Sequence, residues 1–113
     1  MVVQITPETL ESWHKSLGES APLLVIDVRE PHEVQFASVQ APGLEVLAIP
    51  MGTIPARVHE LERDRPVACL CHHGGRSQRV AMFLKEQGFD HVANIAGGID
   101  AWALTRDPSI PRY

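Results

Sequence analysis

The chain has 113 residues, 44% of them hydrophobic, enough to bury the core of one domain without disulfide or metal staples. Its 14 acidic and 10 basic residues are mixed along the length, with a net charge of −4, which excludes the basic stripe of a nucleic-acid binder and the acidic tail of a disordered segment. No stretch approaches the roughly 18 apolar residues of a membrane span, and MVVQITPETL carries no basic leader, so a soluble cytoplasmic protein forming one domain over residues 1–113 is expected.

Met1 to Ile5 reads as a short leading strand. Thr6 as N-cap, Pro7 in the first turn and Glu8 behind it predict a helix running to about Gly18. Leu23, Leu24, Val25 and Ile26 form an apolar run ending in Asp27, with Val28 beyond, as in a strand buried on both faces of a parallel sheet. Glu30 to Val39 allows a short helix with Pro31 in its first turn, and Val46 to Ile49 a third strand that Pro50, Met51 and Gly52 break.

A helical segment follows from about Ile54 to Leu61, then a strand over Pro66 to Cys71, a glycine-rich loop, and a helix from about Arg76 to Gln87 with Gly88 as its C′ residue. Val92 to Ile95 is the last strand, and the pair Gly97-Gly98 opens a terminal helix through Ile99, Trp102 and Leu104. Strands alternating with helices predict an α/β fold with a mainly parallel sheet, helices on both faces and right-handed crossovers. Sites in such sheets gather at the carboxyl ends of strands, where Cys71 and Asp27 to Arg29 both fall.

Cys71-His-His-Gly-Gly-Arg-Ser77 puts a thiol between a buried strand and a helix. Gly74 and Gly75 permit positive φ and turn amide hydrogens inward as a nest for an anion. The following helix adds free N–H groups and the positive end of its dipole. Arg76 adds a fixed charge, and His72 and His73 add donors. These surroundings favour a thiolate nucleophile, which would attack the outer sulfur of thiosulfate and hold the transferred sulfur as a persulfide.

CHHGGRS resembles the active-site loop of the rhodanese family, a cysteine with a ring of six residues closed by a polar or basic one. VIDVREPHEV, from Val25 to Val34, resembles the family's acidic strand-end motif, and Gly88-Phe89, Val92, Gly97-Gly98-Ile99 and Trp102 resemble its C-terminal signature. The motifs span about residues 23–104. The resemblance implies a single rhodanese-like domain with a five-stranded, mainly parallel sheet, and transfer of sulfane sulfur through a Cys71 persulfide with no cofactor. It implies substrate contacts from His72, His73, Gly74, Gly75 and Arg76, with support from Asp27, Arg29 and Ser77.

Related dual-specificity phosphatases and arsenate reductases have one more residue between cysteine and arginine, so the shorter ring points to sulfur. The other alternative is a non-catalytic, regulatory binding module on the same fold. His72 stands where many family members have arginine, and Gln40 where a histidine is usual. The expected donor is thiosulfate or another small anion or persulfide. Cyanide or a thiol would be the acceptor, including proteins such as thioredoxin or a sulfur carrier, with the chain acting as a monomer or weak dimer.

Asp27 and Arg29 are expected to brace the active loop, and Arg79, one turn beyond Arg76, either extends the positive field or is a plain surface charge. Four candidate ligands crowded into 69–73 cannot wrap one tetrahedral ion, so no metal is expected. A Cys69–Cys71 bridge is also unexpected, because alternate strand positions point the same way. Cys69, Trp13, Phe83 and Trp102 read as core.

Overall fold

A computed structural model describes residues 2–18 and 21–113. Five parallel strands, β1 (Val3–Ile5), β2 (Leu23–Asp27), β3 (Leu44–Ala48), β4 (Val67–Leu70) and β5 (Val92–Ile95), form one sheet in the order β1-β5-β4-β2-β3. Between them lie α1 (Leu10–Ser16), α2 (Pro31–Phe36), α3 (Ile54–Arg57), α4 (Gly75–Glu86) and, last, α5 (Gly98–Thr105). Among the described residues no helix is long and apolar enough to cross a membrane.

The central strands β2 and β4 are buried at every position and apolar at all but Asp27, because both of their faces are covered. Leu24, Ile26, Val67 and Cys69 point into a core with Ile54, Val80 and Leu84, so α3 and α4 cover that face. Leu23, Val25, Ala68 and Leu70 point the other way, against Leu10, Ile99 and Trp102 of α1 and α5. Trp102 is fully buried, while Trp13 and Phe83 are partly buried at the margins of the two cores.

Several expected elements are shorter than predicted. The first helix begins at Leu10, not Pro7, because Thr6 and Thr9 engage one another: the Thr6 N–H donates to the Thr9 hydroxyl at 2.9 Å and the Thr9 N–H to the Thr6 hydroxyl at 3.3 Å. Their side chains close a turn ahead of the helix. Met1, part of the expected leading strand, lies outside the described residues.

α2 stops at Phe36, well before Val39, since the Ala37 carbonyl accepts from Arg29 at 2.7 Å and Ala37 is already extended. β3 starts two residues early, pairing Leu44 with Leu23. Residues 54–61 hold a single α turn flanked by 3₁₀ turns at Met51–Thr53 and Val58–Glu60.

The constraint that positions the site comes from α5. Its first amides point at the loop after β4: Ile99 N–H donates to the Cys71 carbonyl at 2.9 Å and Asp100 N–H to the His72 carbonyl at 3.1 Å. The approach is close enough that only glycine fits at Gly98, whose φ is +59°. A Cβ there would clash with both carbonyl oxygens and come within 2.6 Å of the His72 carbonyl carbon. With α5 holding the carbonyls, the Gly74 N–H of the same loop faces the sulfur.

Gly74 has the predicted positive φ, +109°, whereas Gly75 has none, being the first residue of α4. A Cβ on Gly75 meets nothing within 4 Å. Gly98→Ala is therefore expected to lower stability by at least about 2 kcal/mol, and Gly75→Ala to leave it unchanged or slightly raised. Urea unfolding midpoints of the two variants check both signs.

Candidate active site

Cys71 follows β4, and its thiol is enclosed, with 1% of the residue exposed. It belongs to the core that includes Val28 and Val80, and the loop and the start of α4 supply its polar neighbours. Gly74 N–H donates to Cys71 Sγ at 3.1 Å, and the Ser77 hydroxyl, from the first turn of α4, lies 3.2 Å from the same sulfur. Cys69, one alternate position back on β4, is a free and fully buried thiol whose titration burial pushes up to about 12. It is inert near neutrality.

A polar chain runs behind the sulfur. Ser77 Oγ is 2.5 Å from Asn94 Oδ1, and Asn94 Nδ2 donates to Gln4 Oε1 at 2.9 Å and to the Gly74 carbonyl at 3.3 Å. Gln4 Nε2 in turn donates to Gln78 Oε1 at 2.5 Å. The outer end of this chain borders a cleft of about 650 Å³ that Gly75, Arg76 and Arg79 also line.

On the other side of the loop, Arg76 makes a bidentate pair with Glu33 of α2 at 2.7 and 2.9 Å. Arg76 holds the Glu33 carboxyl far below the usual carboxylate range, against the opposing pull of partial burial, and the Tyr113 hydroxyl, donating at 2.7 Å, adds to the effect. Glu33 also accepts from the Glu30 N–H at 3.1 Å, tying its position to the start of α2.

Arg29 is fully buried and pairs with Asp27 at 2.6 Å. Its remaining hydrogens reach the Ala37 carbonyl at 2.7 Å, the Glu33 carbonyl at 3.3 Å and the Tyr113 hydroxyl at 3.0 Å. Asp27 and Arg29 thus brace the turn from β2 into α2 rather than the cysteine loop itself. Their link to the loop passes through Glu33 and Arg76.

The His72 ring lies between two others, 3.9 Å from the His73 ring and 3.9 Å from that of Tyr113. His72, His73 and Asp100 bring one ligand atom each within 4.8 Å of one another. The imidazoles lie face to face, 27° apart, so their in-plane lone pairs do not converge on one ion, and Asp100 is paired with Arg112 at 2.9 Å. This is a stack at the rim of the site, not a metal cage.

The rhodanese-like domain family model matches residues 9–105. The chain belongs to the rhodanese-like family. A protein of Allochromatium vinosum named sulfurtransferase is 36% identical over 93 residues, which are 82% of this chain and 83% of that protein. A chloroplastic rhodanese-like/PpiC domain-containing protein of Arabidopsis thaliana is 46% identical over 91 residues, but this chain spans only 30% of its length. The crystal structure of a rhodanese-like domain protein from Staphylococcus aureus superposes with a TM-score of 0.75 at 28% identity, covering 99% of both chains.

In this rhodanese-like chain the predicted residues Cys71 to Ser77 sit together at one strand end, with Asp27 and Arg29 beside them. Three residues escaped the sequence reading. Glu33 lay in a quoted motif with no role, although its spacing from Glu30 matches a capping box. Asn94 was the one polar residue in an otherwise apolar strand, which is itself a sign of a buried partner. Tyr113 carried no pattern at all.

Two outcomes follow from these pairs. Arg29→Ala leaves Asp27 buried and unpaired, and should cost about 3–5 kcal/mol by urea unfolding. Glu33 is depressed in the folded state, so its stabilisation is present above the unfolded value of about 4.3 and is lost as pH falls below it. In urea titrations from neutral to acid pH, Glu33→Gln should show a shallower loss of stability than the wild type.

Proposed function

We propose that this chain is a sulfurtransferase that carries sulfane sulfur on Cys71. The observation that carries the reading is the thiol itself: it sits in a six-residue ring from Cys71 to Arg76, with the Gly74 amide donating to the sulfur at 3.1 Å and the Ser77 hydroxyl 3.2 Å from it. The names of several relatives agree, among them the sulfurtransferase of Allochromatium vinosum.

The Cys71 thiolate attacks the outer sulfur of thiosulfate. The thiosulfate S–S bond breaks, its electron pair leaves with sulfite, and Cys71 is left as a persulfide. An acceptor then attacks the terminal sulfur, becoming thiocyanate if it is cyanide or a persulfide if it is a thiol, and the Cys71 thiolate returns. Two displacements replace one, and neither needs a cofactor.

The burial of Cys71 sets the order of access. A small donor must reach the enclosed thiol, whereas the transferred sulfur stands about 2 Å farther out, at a disulfide-like bond length. Bulky acceptors, such as thioredoxin or the tail of a sulfur-carrier protein, then need only reach that outer atom. Arg76 shares its charge with Glu33, so the attraction for a dianionic donor rests on the loop amides and the dipole of α4 more than on a free guanidinium.

Intact mass after incubation with thiosulfate tests the reading. The wild type should gain one sulfur atom, cyanide should remove it, and Cys71→Ser should gain none. An unlabelled but folded wild type would overturn thiosulfate transfer and leave a binding module on the same fold.

A further inference from the structure

We infer that Asn94 is a positioning residue that restrains the reactivity of Cys71 through Ser77, an inference that rests on the reading of Cys71 as the nucleophile. The Ser77 hydroxyl has one hydrogen and three acceptors within reach: Cys71 Sγ at 3.2 Å, the Gly74 carbonyl at 3.3 Å and Asn94 Oδ1 at 2.5 Å. The shortest contact claims it. The orientation of the Asn94 amide follows from its other neighbours, since the Gly74 carbonyl can only accept and must therefore face Nδ2. Nδ2 also serves Gln4, which is paired with Gln78, and turning the Asn94 amide over would set Oδ1 against the Gly74 carbonyl oxygen.

Ser77 is fully buried and Asn94 is 4% exposed, so water does not compete for Oδ1. In the resting thiol, Ser77 accordingly gives its hydrogen to Asn94 and offers a lone pair to the Cys71 S–H. A thiolate asks for the reverse. To donate to it, the Ser77 hydroxyl must rotate away from Asn94 and leave Oδ1 unmet. Asn94 therefore taxes the thiolate by competing for the one hydrogen that could stabilise it, while the Gly74 amide stays on the sulfur in both states.

The other titratable or charged groups around the loop are His72 and His73 within it, Arg76 and Arg79 on α4, Cys69 on β4, Asp27 at the end of β2 with Arg29 behind it, Glu33 on α2, Asp100 on α5, and Tyr113 against His72. None is altered by replacing Asn94 or Ser77, so a comparison among these variants isolates the competition for the hydroxyl hydrogen.

The rate of alkylation of Cys71 by iodoacetamide, followed as a function of pH and localised by peptide mass, reads thiolate formation without any sulfur donor. Asn94→Ala should displace the profile toward lower pH and accelerate alkylation at neutral pH by about two- to tenfold, the range of one hydrogen bond. Ser77→Ala should slow it by a similar factor. The double variant should match Ser77→Ala alone, because Asn94 acts through that hydroxyl. Asn94→Asp, which keeps the acceptor and adds a negative charge, should slow the reaction.

A purely structural role predicts slowing in both Asn94 variants. Slower alkylation in Asn94→Ala, or acceleration that persists without Ser77, overturns the inference. Should Asn94→Ala fail to fold, Asn94→Leu, which keeps the volume, is read in its place. A wild type that alkylates in this pattern but takes no sulfur from thiosulfate overturns the proposed transfer alone and leaves the role of Asn94 standing.

Discussion

The grip of α5 on the cysteine loop is the contact on which the rest of the site depends. Two amides of that helix take the carbonyls of Cys71 and His72, and Gly98 allows the approach because it has no side chain. A peptide whose carbonyl is held outward presents the amides beyond it inward. The Gly74 N–H reaches the sulfur for this reason, and the helix dipole of α4 is aimed at the same point. One helix N-terminus fixes the backbone, and a second one serves the thiol.

Around that frame, charge is distributed through a chain of pairs in place of a single bracing contact. Asp27 neutralises Arg29 in the core, Arg29 holds the turn into α2, α2 presents Glu33, and Glu33 holds Arg76. Tyr113 closes the circuit by contacting Arg29, Glu33 and the face of His72 together. Arg76 is consequently part of the scaffold.

The fold was readable where one local rule decided the outcome. The continuous apolar run of β2 announced a strand buried on both faces, and β5, expected over Val92 to Ile95, matched residue for residue. Gly74 announced a left-handed turn and has one. Sequence reasoning failed where side chains compete with the backbone. Thr6 and Thr9 bond to one another and delay α1, and Arg29 takes the Ala37 carbonyl and ends α2. Such choices are settled by partners far along the chain. The partners of Asn94 at Gln4 and of Glu33 at Arg76 and Tyr113 were invisible for the same reason: no spacing rule connects residues that meet only across the folded sheet.

The strand order has a consequence for how the site comes into being. β5, second of the five strands across the sheet yet last of them in sequence, lies between β1 and β4 and carries Asn94, with α5 directly after it. During synthesis the thiol emerges well before the segment that gives its loop a shape. The surroundings of Cys71 are therefore complete only when β5 and α5 are docked on the sheet.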